Sequence, residues 1–184
     1  MIQSLPSLKT IAFAALFMFA AIASSHAQDK TKRIGNKPRT GSSNSSFDVV
    51  KGDQVAIKMD AGNKQVQLLQ FSFDVTNNYR DSIPFKVNVY EYNEISVGDN
   101  YVKQDIISYI PKGKNKITVD LAPYNIALKK NILVSIEWLQ TIQGADPSFA
   151  IGLFNGGTYR QESGRWKKTP VAGVDFNVII KKVK

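Results

Sequence analysis

The densest group of chemically useful side chains lies in GGTYRQESGRWKKTP, residues 156 to 170. Tyr159, Arg160, Arg165, Trp166, Lys167 and Lys168 fall on the two arms of a hairpin that Ser163-Gly164 would turn. Flat aromatic rings stack on sugar faces, and a guanidinium offers a planar fork of donors to carboxylate, sulfate or phosphate. These six residues form the candidate binding surface for an anionic glycan. A competing reading makes Tyr159 and Trp166 a cross-strand aromatic pair closing one end of a sandwich, with the basic residues as solvated flanks.

Other constellations are thinner. Glu91 and Glu94 lie three apart at a strand end, with Asp99 and Asp105 further on. Glycoside hydrolysis needs two carboxyls about 5–10 Å apart in a cleft. Tyr90, Tyr92 and Tyr101 are the aromatic residues close by. A carboxylate-dependent glycan-cleaving enzyme is therefore an alternative reading. DAGN (60–63) and VGDN (97–100) have the composition of calcium loops but lack the alternating oxygens of an EF-hand. They read as plain turns, and neither a metal nor a cofactor is expected.

The chain has no cysteine and one histidine, His26, in AIASSHAQDK. That histidine follows a short start with one cation, Lys9, and thirteen apolar residues from Ile11 to Ala23. Ser25 and Ala27 supply the small-x-small ending of a secretory signal peptide, residues 1–27. The run is too short to span a bilayer, which takes ~20 apolar residues, so no transmembrane segment is expected. Cleavage after Ala27 leaves 184 − 27 = 157 residues with neither Cys nor His. Ser–His–Asp and Cys–His catalysis are then excluded, and zinc and thiol redox chemistry lose their ligands. The processed chain carries a net charge of +9 − 1 = +8. Such a balance favours polyanionic partners. For an exported protein these are envelope or extracellular polysaccharides and acidic lipids, and nucleic acid is set aside.

The elements that must position the cluster are strands. Val55, Ile57 and Met59 alternate with polar residues, as do Phe71, Phe73 and Val75, and Phe85, Val87 and Val89. The same holds for Ile117, Val119 and Leu121, and for Ile132, Val134, Ile136 and Trp138. Phe149, Ile151 and Leu153 follow, then Val174, Phe176, Val178 and Ile180. Alternation in β-branched and aromatic residues marks half-buried strands. Trp138 is a core residue on this pattern, and Ser135 and Glu137 project to the opposite face. Turn signals such as Asn77-Asn78, Gly113-Lys114-Asn115, Ser163-Gly164 and Ala172-Gly173 separate the runs. Seven to nine strands are expected in an antiparallel jelly-roll β-sandwich over 47–184, with 93–103 as a sheet-to-sheet crossover. Residues 28–46 read as a flexible basic N-terminal arm, with Lys30, Lys32, Arg33, Lys37 and Arg39 against Asp29. The last third of that arm is allowed to join the domain as an irregular first strand.

The succession FSFDV, IPFKVNVYEY, VDLAPYNIAL, ILVSIEWL, TYRQESGRWKK and VDFNVII resembles the jelly-roll domain of exported Bacteroidetes-type proteins. That domain is often found C-terminal to a carboxypeptidase-regulatory-like domain. The resemblance covers most of the processed chain and implies the fold and an exported location. It implies no activity, since no activity is established for the family. The sequence therefore points to a non-enzymatic binding module for anionic envelope or extracellular polysaccharide. An envelope assembly or protein-interaction domain is the other non-enzymatic reading.

Overall fold

The computed structural model describes residues 30–36 and 43–183. The expected signal peptide lies outside the described residues. The chain divides after Lys30, and the unit from Thr31 onward is an all-β sandwich. Its strands are β1 (Thr31–Gly35), β2 (Asn44–Ser46), β3 (Gln54–Asp60), β4 (Val66–Asn77) and β5 (Ile83–Tyr92). Then come β6 (Val97–Asn100), β7 (Ile106–Ile110), β8 (Gly113–Asp120), β9 (Ala127–Leu128) and β10 (Asn131–Trp138). β11 (Ser148–Leu153), β12 (Thr158–Glu162), β13 (Arg165–Thr169), β14 (Ala172–Val174) and β15 (Asn177–Lys182) complete the fold.

Two antiparallel sheets result, and together they form the expected jelly-roll sandwich. One holds eight strands in the order β1-β15-β4-β11-β14, with β2 on β11 and with β8 and β9 on β4. The other holds seven in the order β13-β12-β3-β10-β5-β6, with β7 also on β5. The alternating apolar residues meet between the sheets. Val55, Ile57, Phe85, Val87, Val134, Ile136 and Trp138 come from the seven-stranded sheet, and all are buried. Phe71, Phe73, Phe149 and Phe176 face them, with ring centroids 5.0 to 6.0 Å apart. Edge-to-face and tilted aromatic packing of this kind adds to plain area burial.

The fifteen strands among the described residues exceed the seven to nine expected, because long strands such as β4 are shared among short partners. β4 pairs with β15 and then β11 along one edge, and with β9 and then β8 along the other. A bulge at Leu69, where Ile179 opposes Gln70 but Ile180 opposes Leu68, switches the parity of β4. Val66 and Leu68 therefore share the core with Phe71, Phe73 and Val75.

Three further expectations are corrected. Residues 93–103 do not cross between sheets, because β6 folds back along β5 in the same sheet. The chain changes sheets between β7 and β8, across Pro111-Lys112. Ala172-Gly173 is not a turn but part of β14, paired with β11. The segment expected as a flexible basic arm contributes β1 near its start, antiparallel to β15, with Ile34 buried in the core; β2, paired with β11, lies in the last third, which is allowed to join the domain.

Candidate functional site

Cross-strand neighbours share a face, so register fixes what lies on the outer side of the seven-stranded sheet. One row runs Lys168, Tyr159, Ala56, Ser135, Asn88. The next runs Trp166, Gln161, Gln54, Glu137, Lys86. Lys58, Leu133 and Tyr90 make a third. Four strand steps separate β13 from β5, about 19 Å in a flat sheet. Yet the rings of Trp166 and Tyr90 are 5.9 Å apart, and those of Tyr159 and Tyr92 are 5.5 Å apart. The sheet is therefore rolled, and this outer face is its concave side. The small Ala56 and Ser135 form the floor with Leu133, and all three are fully buried beneath the rings.

The floor also holds a polar network. Ser135 Oγ donates to Gln54 Oε1 at 2.6 Å, and Gln54 Nε2 donates to Tyr90 Oη at 3.0 Å and to Gln161 Oε1 at 2.6 Å. Asn88 Nδ2 donates to Glu137 Oε2 at 2.8 Å, and Asn100 Nδ2 donates to Asn88 Oδ1 at 2.9 Å. Lys86 Nζ lies 3.2 Å from Glu137 Oε2. Buried polar groups must be paired in this way, and the pairing fixes Tyr90 and through it the edge against which Trp166 rests. Burial holds the Tyr90 phenol above its ordinary pKa. Tyr92 is pushed up to about 12, first by burial and then by its hydroxyl contact with Tyr159 at 3.1 Å.

The expected hairpin forms, with Ser163 and Gly164 both at positive φ (49° and 79°) as a tight two-residue turn requires. It does not gather all six of the basic and aromatic residues on one surface. Tyr159, Trp166 and Lys168 face the concavity. Arg160, Arg165 and Lys167 alternate to the other side. Arg160 Nη2 is 2.7 Å from Glu162 Oε1 and its guanidinium lies 5.3 Å from the Phe47 ring centroid. Lys167 Nζ is 3.6 Å from Glu162 Oε2. Tyr159 and Trp166 are diagonal neighbours, not a directly opposed pair. Tyr159 is 5% exposed, so its ring is used up in packing against Tyr92 and offers no open face to a sugar. Trp166 is half-buried and keeps open surface.

That surface borders a cleft of about 390 Å³ between two hairpins. Tyr92, Ile95, Ser96 and Val97 line it from the β5–β6 side; Tyr159, Trp166, Lys167 and Lys168 line it from the β12–β13 side. The β5–β6 turn is held by Asn93 Oδ1, which accepts from the amides of Ile95 at 3.1 Å and Ser96 at 2.8 Å. Glu94 anchors it to the sheet, paired with Lys58 and accepting from Asn131 Nδ2 at 2.9 Å. At the tip, Ile95 is 94% exposed. This wall is not legible in the sequence, where 93–103 has the length and composition of a crossover. Its available signal was Tyr90 and Tyr92 alternating on the polar side of β5.

None of the acids considered for hydrolysis, Glu91, Glu94, Asp99 and Asp105, lines the cleft. Glu94 pairs with Lys58, and Asp105 approaches Lys86 at 3.8 Å. No carboxylate lines the cleft. Among the described residues no group of three His, Cys, Asp or Glu side chains is arranged to hold a metal. Residues 60–63 make a turn in which Asp60 Oδ1 accepts from Gly62 N at 2.8 Å, and 97–100 are β6.

No family model matches the chain, and no curated protein does. Among solved structures, the chain is similar to the clostridial cysteine protease Cwp84 after propeptide cleavage, at TM-score 0.59 and 12% identity. That match covers 83% of this chain and 40% of that one. It is similar also to the cysteine protease and lectin-like domains of Cwp84, a surface layer associated protein of Clostridium difficile. There the TM-score is 0.50 and the identity 8%, over 79% of this chain and 37% of that one. A CBM35 from Cellvibrio japonicus aligns over 86% of this chain and 94% of its own, at TM-score 0.41 and 12% identity. At such identities the likeness to Cwp84 is one of fold, and the chain spans about 40% of that protein's length.

Proposed function

We propose that this protein is an exported, non-enzymatic binding module for an anionic envelope or extracellular polysaccharide. The glycan is taken in the cleft between the β5–β6 and β12–β13 hairpins. The observation that carries this reading is the lining of that cleft: a half-open tryptophan, two tyrosines, apolar Ile95 and Val97, Ser96, Lys167 and Lys168, with no carboxylate among them. A cleft of this volume suits a short stretch of sugar rings, held by stacking on Trp166 and oriented by a few polar groups. The missing carboxylate pair favours binding over cleavage. The leader-like start of the sequence supports export, and the fold likeness to a surface layer associated protein agrees with it. Of the six residues first singled out, Trp166 and Lys168 are assigned to contact and Tyr159 to support. Arg160 and Arg165 lie on the other strand face, and Lys167, which borders the cleft, has its ammonium 3.6 Å from Glu162 Oε2.

The test is calorimetric titration with a panel of purified envelope and extracellular polysaccharides at two salt concentrations. Binding to an acidic member should weaken with salt, and Trp166→Ala should weaken it about 30-fold. Equal affinity of wild type and Trp166→Ala would overturn the site.

A second reading, docking to an envelope protein, is favoured by one observation. Phe154 is 86% exposed at φ 57°, held there by its amide donating to Val171 O at 2.7 Å, with Leu153 and Val171 also exposed. Co-purification from an envelope fraction that Phe154→Ser abolishes, with no glycan affinity, would select it.

A further inference from the structure

The glycan-binding reading places a sugar in the cleft, and the charges around that cleft narrow its chemistry. Lys58 is matched by Glu94, and Lys86 by Glu137 and Asp105. Arg160 and Lys167 share Glu162. Lys168 differs: it lines the cleft, is exposed, and forms no ion pair among the described residues. Its Nζ lies 5.3 Å from the Tyr159 ring centroid, where the ring face steadies an ammonium without using its N–H donors. Lys168 stands two positions from Trp166 on the same strand face, about 7 Å along β13. That separation is comparable to the reach of one sugar ring and its substituent.

We propose that the cleft reads one negative charge per bound sugar: a hexuronate with its ring against Trp166 and its carboxylate at Lys168. This rests on the glycan-binding reading. A polysulfated chain gains affinity from several uncompensated cations side by side. Of the two lysines that line this cleft, Lys167 shares Glu162 with Arg160, which blunts its attraction for an external anion, and Arg165 lies on the opposite strand face, so Lys168 is the lysine free to meet a charge there.

The experiment is calorimetric titration of the protein with trigalacturonate, triglucuronate and trimannuronate, with their methyl esters, and with a heparin-derived oligosaccharide. The methyl esters keep the rings and remove the charge. Wild type should bind one free acid about tenfold more tightly than its ester. Lys168→Gln should bring acid and ester within about twofold of each other, chiefly by weakening the acid. Trp166→Ala should weaken both. The affinity of wild type for the acid should fall with salt at a log–log slope of about one. Equal binding of acid and ester, or tighter binding of heparin oligosaccharide with a slope of about three, would overturn the hexuronate assignment and leave the glycan reading standing. Absence of binding to every saccharide tested would overturn both.

Discussion

Gln54 sits where most of the concave floor converges. It accepts from Ser135 and donates to Tyr90 and Gln161. Replacing it by leucine keeps the bulk but leaves a buried hydroxyl and two further polar groups short of partners. Gln54→Leu should lower unfolding free energy by about 1–3 kcal/mol in a denaturant titration. It should also loosen Trp166 through Tyr90, seen as a red-shifted emission. Tyr92 makes a separate prediction. Its folded pKa is about 12 against the ordinary 10.0, so the folded state retains a proton that the unfolded state loses. Its contribution to stability is fully present below pH 10 and is lost as pH rises from there through about 12. Tyr90 and Tyr101 are raised as well and act in the same direction. Tyr92→Phe should therefore show a shallower loss of stability with alkali than wild type, measured by denaturant midpoints across that window. An identical pH dependence would place the alkaline transition elsewhere. The local chemistry of Trp166 and Lys168 was legible in the sequence, because aromatic and basic residues beside a turn signal carry their meaning with them. The burial of Tyr159 was not, since it depends on Tyr92, which lies far away in sequence.

At the scale of elements, the strands were readable because alternation is local: most runs from Val55 to Ile180 that alternate are strands facing one core, although VDFNVII is divided between β14 and β15 and Leu153 is exposed. Parity switches were not readable. The bulge at Leu69 and the shift between Tyr90 and Tyr92 arise from pairing with β15 and β6, and a single strand does not record its partners. The same applies to β6, whose VGDN has turn composition but pairs because Gly98 allows the close approach to Glu91. The base of the β12–β13 hairpin depends on Gly157, at φ 83°, where a Cβ would collide with the Thr169 carbonyl. Gly157→Ala should cost about 1–3 kcal/mol from backbone strain alone, with more from the collision. It should misplace the hairpin, lowering glycan affinity together with the thermal midpoint. Loss of affinity at full stability would show instead that Gly157 acts at the cleft directly.

For the whole molecule, the sandwich closes at β1. The basic composition of residues 28–46 suggests a flexible arm, because charge and glycine content report solvation and say nothing of an available sheet edge. β15 offers that edge and β1 takes it up with Ile34 buried, while the Asn36 side chain donates to Val174 O of β14 at 2.6 Å. Ile34→Asp should therefore destabilise the sandwich by about 2–4 kcal/mol, read from denaturant unfolding, by placing a carboxylate in the core. An unchanged midpoint would return the segment to the status of an arm. The curl of the seven-stranded sheet is a property of the same scale. It brings β5 against β13 and so creates the cleft, and no local pattern encodes it.

The central claim is that Trp166 forms one wall of an occupied cleft, and the chain lends itself to a direct reading. It has two tryptophans, Trp138 buried in the core and Trp166 half-open at the cleft. A fluorescence titration with an acidic oligosaccharide should produce a saturable change in emission that Trp166→Phe removes and Trp138→Phe retains. Emission that stays constant while calorimetry detects binding would place the glycan elsewhere on the molecule and contradict the claim.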